Sequence, residues 1–144
     1  MADQKKTVGF LSRVPLFKGL KKRQLESLAK RFVEREYQAG TAIVTQGKGG
    51  EGLFIVVEGH TDVIRLRGDG EKVQVNEFGP ADFFGELALL DDGPRTASVI
   101  ATEPTKCLVL TRWDFFGALR SDVEMAITIL EEMAKRFRIA LDSL

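Results

Sequence analysis

The sequence has few of the residues that build disulfides, metal sites and catalytic centres. Its 144 residues include one cysteine, Cys107, and one histidine, His60. A single cysteine excludes a disulfide within the chain, and its place in the apolar run CLVL predicts a buried structural thiol. His60 lies in a predicted turn with no second ligand near it, so we expect no metal site and no histidine-based catalysis. The chain is therefore predicted not to be an enzyme.

An excess of one charge and long apolar runs are also missing. Lys plus Arg and Asp plus Glu each total 21, so no overall basic field favours a nucleic-acid partner. No apolar stretch approaches the roughly 18 residues of a membrane span. The N-terminal MADQKKTVGF also lacks the apolar core of a signal peptide. We expect a soluble, cytoplasmic protein.

The chain length and a hydrophobic content of 44% fit one domain over residues 1–144. Helical patterns predict N-terminal helices over about 9–32, with a short turn of helix broken at Pro15 and an amphipathic helix over 21–32. One face of that second helix carries the apolar residues Leu25, Leu28, Ala29 and Phe32.

Residues 33–111 are rich in Val, Ile, Phe and Thr between glycine turns, which predicts compact antiparallel β structure. Asp-Gly in GDGE is typical of a tight hairpin, and EGH marks another turn. The predicted strands are 33–37, 41–45, 52–58, 61–67, 72–78, 82–84, 97–101 and 105–111. The expected fold class is mainly β, an eight-stranded antiparallel β-roll, similar to a jelly-roll barrel, with flanking helices.

Residues 112–144 return to a helical pattern. Two capping boxes, Thr111 with Asp114 and Ser121 with Glu124, predict two helix starts. The last helix carries an apolar stripe at alternating steps of four and three residues: Val123, Ile127, Leu130, Ala134, Phe137, Leu141 and Leu144. The plain interpretation packs this stripe on the chain's own β domain, and the alternatives are a homodimer seam or a mobile lid.

The stretch FGELALLDDGPRTASV, residues 84–99, combines residues that suit an anionic ligand. Gly85 permits close backbone approach, and the helix formers after it predict a short helix whose first N–H groups favour an anion. Arg95 follows Pro94 and is placed to bind the same anion. Glu86 beside a phosphate needs a hydrogen-bond donor, which a ribose hydroxyl supplies. The stretch therefore favours a nucleotide, and the alternative is a local Glu86–Arg95 ion pair.

This stretch resembles the phosphate-binding cassette of the cyclic nucleotide-binding domain family. GKGGEGLFIVVEGHTDV is similar to the family's glycine-bounded central strands, and VPLFKGL with LESLAKRF is similar to its N-terminal helical segment. The resemblance covers nearly the whole chain. It implies a β-roll that binds cAMP or cGMP as its ligand, with no other cofactor.

By position, the resemblance assigns the ribose 2′-OH to Glu86 and the cyclic phosphate to Arg95. Further implied nucleotide contacts are the N–H groups of Gly85, Leu87 and Ala88, the residues Thr96 and Ala97, and the apolar Val63 and Phe78. The C-terminal helix would be a lid, with Phe137, Arg138 or Leu141 capping the base.

Two features depart from the family pattern. Ala81 stands where the family often has glycine, at a turn that requires a positive φ. The chain also shows no output domain after Leu144, so we expect a protein partner to carry the signal. Thr96 suits guanine, but cAMP-binding members carry Thr or Ser there too, and we favour cAMP over cGMP. The alternative function is a ligand-free structural or dimerisation module on the same fold.

Overall fold

The computed structural model describes residues 4–49, 51–91 and 93–144. Contacts among these residues divide the chain into two compact units. One unit comprises residues 32–112 and contains the strands. The other comprises residues 4–31 and 113–144 and is helical.

The β unit contains eight antiparallel strands in the part of the chain that the structure describes. Named β1 to β8 in chain order, they are Val33–Tyr37, Ala42–Val44, Gly52–Glu58, Thr61–Leu66, Lys72–Phe78, Phe83–Phe84, Ser98–Ala101 and Thr105–Thr111. They form two four-stranded sheets in the orders β1-β8-β3-β6 and β2-β7-β4-β5. The predicted eight-stranded β-roll is confirmed, and each strand falls inside its predicted range. Between these strands the pairing does not close into a barrel.

A core of apolar side chains from both sheets fixes the β unit. Its buried members are Val44, Phe54, Val56, Val63, Phe84, Val99, Cys107 and Val109. The Phe54 and Phe84 rings stack with centroids 5.0 Å apart, and Phe78 stacks on Phe84 at 5.2 Å. Cys107 is fully buried as predicted. Burial raises the pKa of its thiol to about 12, so the thiol is an inert member of this core.

Four α-helices and two 3-10 helices, Pro15–Phe17 and Glu86–Leu89, are found in the described chain. The α-helices are α1 Gln4–Leu11, α2 Lys22–Ala29, α3 Arg112–Ser121 and α4 Val123–Asp142. Helix is already present at Gln4, earlier than the predicted start near residue 9. The amphipathic helix ends at Ala29 rather than residue 32, because Arg31 N–H bonds to the Leu28 carbonyl at 2.9 Å in a tight final turn.

The N-cap of the last helix lies one residue later than predicted. Asp122, not Ser121, is the N-cap of α4, and its Oδ1 accepts a hydrogen bond from Met125 N–H at 3.1 Å. Ser121 instead closes α3, where its hydroxyl donates to the Gly117 carbonyl at 3.0 Å. Both residue types cap helices well, so the spacing alone did not separate them.

The apolar stripe predicted for α4 is not the face that the helix buries. Leu130 is 68% exposed and Phe137 is 65% exposed, and the rest of the stripe is exposed as well. The buried residues of α4 are Met125 and Ile129, which lie off the stripe. In the helical unit α4 packs near the 3-10 helix, where Thr128 reaches Gly19. The predicted stripe is therefore exposed, and α4 buries a different face.

Candidate functional site

Within the cassette, the stretch 84–99, residues 84–88, 91 and 93–96 line a cleft in the β unit. The cleft has a volume of about 560 Å³. The predicted site residues among those lining it are Phe78, Gly85, Glu86, Leu87, Ala88, Arg95 and Thr96. The other two predicted contacts in the β unit are not among the residues that line the cleft. Val63 is buried in the core, and Ala97 packs against that core.

The backbone at the start of the cassette turns sharply at Gly85. Gly85 has φ 85°, the left-handed region that favours glycine, and it caps a 3-10 helix over Glu86–Leu89. The predicted short helix is therefore a single 3-10 turn. Within it the Ala88 N–H donates to the Gly85 carbonyl at 3.0 Å. This differs from the expectation that the Ala88 N–H points to a ligand.

Arg95 lies directly against this turn. A Cβ at residue 85 would lie 2.6 Å from Arg95 Nη1 and even closer to the Gly52 carbonyl oxygen. Arg95 Nη2 donates to that same carbonyl at 3.0 Å. The absence of a side chain at Gly85 thus lets the guanidinium and the start of β3 approach the cassette backbone together.

Hydrogen bonds hold the Arg95 main chain as well as its side chain. Its N–H donates to the Lys48 carbonyl at 2.9 Å, and its carbonyl accepts from Gly47 N–H at 2.8 Å. The guanidinium carbon lies 6.0 Å from the centre of the Phe54 ring, within cation–π range. Arg95 is therefore held by the loop before β3 and by β3 itself, which sequence spacing did not reveal.

The charge on Arg95 is partly buried. Burial lowers the pKa of the guanidinium, and the negative charge of Glu51 opposes this shift. An arginine keeps its proton in proteins, so the site retains a cation at neutral pH. Arg95 Nε is buried and has no hydrogen-bond partner among the described residues. A buried donor of this kind stabilises a complex when a ligand supplies an acceptor.

Glu51 belongs to the surroundings of Arg95 and is not among the predicted site residues. Its carboxylate forms an ion pair with Arg35, and the hydrogen bond to Glu51 raises the pKa of Arg35. Glu51 stands in GKGGEG, the start of the stretch that is similar to the family's glycine-bounded central strands. The only sequence signal for its role is that Glu51 is an acidic residue within a glycine-rich stretch.

The residues proposed to cap a base lie in the helical unit. Phe137, Arg138 and Leu141 are all exposed on α4. Their role as a lid stays a prediction. Thr96, the residue considered for base contact, is exposed at the rim of the cleft, and its carbonyl accepts a 3.4 Å hydrogen bond from Arg65 Nε.

The structure tests two further expectations from the sequence, on the backbone of Ala81 and on the neighbours of His60. Ala81 has φ 74°, so the turn does require the left-handed backbone that glycine would adopt at lower cost. The expectation that no second ligand lies near His60 is wrong, because the His60 Nε2 lies 3.3 Å from Glu77 Oε2 and Asp62 is also close. Strand pairing brings these residues together from separate parts of the sequence.

None of the helices within residues 4–49, 51–91 and 93–144 combines the length and the apolar character that crossing a membrane requires.

Comparison with known proteins agrees with the cleft and the fold. The family model described as cyclic nucleotide-binding domain matches residues 34–122. A curated relative, the cyclic AMP receptor protein of Thermus thermophilus, is 34% identical over 126 residues. That match covers 88% of this chain, and the chain spans 58% of the relative's length.

Two solved structures extend the comparison. The N-terminal domain of a transcriptional regulator from Streptomyces coelicolor has a TM-score of 0.85 at 32% identity, with 94% of each chain covered. The regulatory subunit of a cAMP-independent protein kinase A from Trypanosoma brucei has a TM-score of 0.68 at 30% identity, covering 92% of this chain and 47% of that one. With the family model matching residues 34–122 and a curated relative at 34% identity, the chain belongs to the cyclic nucleotide-binding domain family.

Proposed function

We propose that the cleft binds a cyclic mononucleotide, cAMP in preference to cGMP, and that the chain is a non-catalytic regulatory domain. The observation that carries this proposal is Arg95, a cation aligned by Gly52 and packed against Gly85, with a buried Nε that lacks a partner among the described residues. A cyclic phosphate carries one negative charge and several acceptor oxygens. It complements such a guanidinium through charge-assisted hydrogen bonds.

Glu86 gives the site a second polar contact. It lines the same cleft as Arg95, from the opposite end of the cassette loop. In the proposed complex its carboxylate accepts from the ribose 2′-OH, while Leu87 and Gly85 N–H groups approach the phosphate. Phe78 supplies an apolar contact beside the sugar. Sugar and phosphate recognition therefore rests on side chains that already share one cleft.

The preference for cAMP rests on the named relative and not on geometry in the cleft. The relative with 34% identity is called a cyclic AMP receptor protein. The kinase regulatory subunit with 30% identity is described as cAMP-independent, so membership of the family alone does not choose the base. Thr96 at the cleft rim is the residue that would contact guanine if cGMP were bound instead of cAMP.

We infer that the output involves α4. Its exposed stripe, with Leu130 and Phe137 among the members, is free to cover the nucleotide or to pair with a second copy of the chain. A protein partner would then carry the signal. A ligand-free dimerisation module is the second candidate, and the observation that favours it is this exposed heptad stripe.

Calorimetry with cAMP, cGMP and linear 5′-AMP tests the proposal. A ligand of ~22 non-hydrogen atoms at about −0.3 kcal/mol each is expected to bind with Kd of tens of micromolar or tighter. We expect cAMP to bind more tightly than cGMP and 5′-AMP to bind weakly. Absence of binding by either cyclic nucleotide, together with a stable dimer in sedimentation, would favour the dimerisation module.

A further inference from the structure

A cluster of three ligand-type side chains lies on the β4–β5 hairpin, outside the cassette. His60 precedes β4, Asp62 lies on β4, and Glu77 is the cross-strand partner of Asp62 on β5. Each of the three offers one ligand atom, and these atoms lie within 4.8 Å of one another. Strand register therefore assembles one imidazole and two carboxylates at one place.

Hydrogen bonding fixes which imidazole nitrogen is available. The Thr102 hydroxyl donates its proton to the His60 carbonyl at 3.1 Å. Its oxygen lies 2.8 Å from His60 Nδ1, so it must accept from an Nδ1–H group. In the neutral ring Nε2 then carries the lone pair.

This lone pair faces another acceptor. His60 Nε2 lies 3.3 Å from Glu77 Oε2. Two acceptors at this distance repel each other unless a cation lies between them. The cation is either a proton on Nε2 or a metal ion. Asp62 Oδ1 lies 3.9 Å from His60 Nδ1, and a carboxylate oxygen of Asp62 provides a third ligand atom within 4.8 Å of the other two.

We propose that His60 Nε2 and the carboxylates of Asp62 and Glu77 bind a divalent first-row metal ion of the zinc or nickel class. Ligands at about 2.0–2.1 Å from a tetrahedral ion lie roughly 3.3 Å apart, which matches the Nε2–Oε2 distance. A neutral imidazole with two carboxylates balances the charge of a dication. An imidazole ligand favours such ions over Mg²⁺ and Ca²⁺, which prefer oxygen alone.

Neighbouring side chains already orient the ligands. Gln74 Nε2 donates to Asp62 Oδ1 at 3.2 Å, and Thr102 holds the His60 ring through Nδ1. Such outer contacts are the usual support of metal-binding histidines and carboxylates. The ion would join the ends of β4 and β5 next to Phe78, but it uses no cleft residue, so its test is independent of nucleotide binding.

The test is titration of the tag-free full chain with ZnCl₂ and NiCl₂ at pH 7.5, followed by calorimetry. One ion per chain is expected. His60→Gln and Glu77→Gln are expected to weaken binding at least tenfold. Glu71→Gln, which changes an exposed acid on the same hairpin, is the matched control and should bind like the unmodified chain.

A second measurement needs no variant. Because the chain has one histidine, Ni²⁺ should broaden a single set of imidazole proton resonances at one equivalent of metal. Binding that is unchanged in His60→Gln would overturn the proposal. So would imidazole resonances that are unaffected by millimolar Zn²⁺ or Ni²⁺, since the cation beside Glu77 would then be a proton.

Discussion

Gly85 and Arg95 fit together so closely that no side chain has room between them. A methyl group at residue 85 would lie 2.6 Å from Arg95 Nη1 and 3.1 Å from Nη2. The glycine also has φ 85°, which side chains rarely adopt. The position of the guanidinium in the cleft therefore depends on a residue ten places earlier in the sequence.

Gly85→Ala should therefore damage both the fold and the site. The left-handed backbone alone costs an alanine about 1–2 kcal/mol, and the methyl group would also push Arg95 away from Gly52. We expect weaker cyclic nucleotide binding by at least tenfold and a lower melting temperature. Calorimetry and thermal unfolding measure the two effects.

Gly79→Ala is the control for that substitution. Gly79 also lies in the β unit, its φ is not in the left-handed range, and nothing lies within 4 Å of a Cβ there. It should keep nearly full affinity. Equal affinity in both variants would mean that the contact between residues 85 and 95 does not position the ligand.

Arg95→Ala should weaken cyclic nucleotide binding at least tenfold, because it removes a charge-assisted contact from a permanent anion. Arg95→Lys should also bind poorly, since a lysine keeps the charge but loses the planar set of donors that contacts Gly52. The free energy of unfolding should change little, because the partly buried guanidinium is not fully hydrogen-bonded. Calorimetry beside chemical denaturation separates the two quantities.

Arg67→Gln removes an exposed arginine on the adjoining hairpin and serves as the control. Its affinity should match that of the unmodified chain. If Arg95→Ala bound as tightly as this control, the phosphate would have to be bound elsewhere.

Ala81→Gly should stabilise the protein. Ala81 has φ 74°, the only positive φ of a non-glycine residue in the described chain. Its backbone is held by a hydrogen bond to the Val56 carbonyl at 2.8 Å, so the turn cannot relax easily. Relief of the strain exceeds the entropy cost of glycine by about 0.5–1 kcal/mol. Urea unfolding measures this gain.

Ala39→Gly, at an exposed turn without a positive φ, is the matched comparison. It should lower the free energy of unfolding slightly through chain entropy alone. A loss of stability in both variants would show that the Ala81 backbone is not strained.

Much of the fold could be predicted from the sequence because its signals are local. Alternating apolar residues and the GDGE turn place β4 and β5, and the structure keeps those limits within a residue. The cassette was also predictable, since Gly85, Glu86 and Arg95 fall within one short stretch.

What the sequence left open depends on contacts between distant residues. Gly52 and Glu51 act on Arg95 from more than forty positions away, and only strand pairing brings them there. The buried face of α4 was missed for a related reason. The helix has two apolar faces, the long stripe and the shorter face that contains Met125 and Ile129. Tertiary packing determines which of them is buried.

Stability should decrease with pH above 9 because of Cys107. Its thiol has an ordinary pKa near 9.0, and burial raises the pKa to about 12 in the folded state. Between these values the unfolded thiol loses its proton and the folded thiol keeps it. The free energy of unfolding therefore falls as pH rises, by about 1.4 kcal/mol per pH unit from this group.

Denaturation curves at pH 8, 9, 10 and 11 measure that slope. Cys107→Ala should show a shallower decrease, whatever its stability at pH 8. Val109→Ala removes volume from the same core without removing a titrating group, so it should keep the full slope. Identical slopes in the two variants would contradict a role for the thiol.

Cyclic nucleotide should protect α4 from amide exchange, if this helix closes on the ligand as proposed. Phe137 is 65% exposed and Leu141 is 50% exposed, and burying one such side chain contributes ~1.5–3 kcal/mol. That is enough to shift a helix between two populations. Saturating cAMP should slow exchange across 130–142 several-fold, whereas 5′-AMP should not.

Phe137→Ser tests whether the stripe carries this closure. It should abolish the added protection and weaken cAMP binding several-fold. Ile139→Ser changes an equally exposed residue off the stripe, 66% accessible on the same helix, and should leave both unchanged. Exchange across 121–144 that stays the same at saturation would remove the lid from the mechanism. If the chain were also a dimer whose dissociation follows Phe137→Ser, the stripe would instead be the seam between two copies.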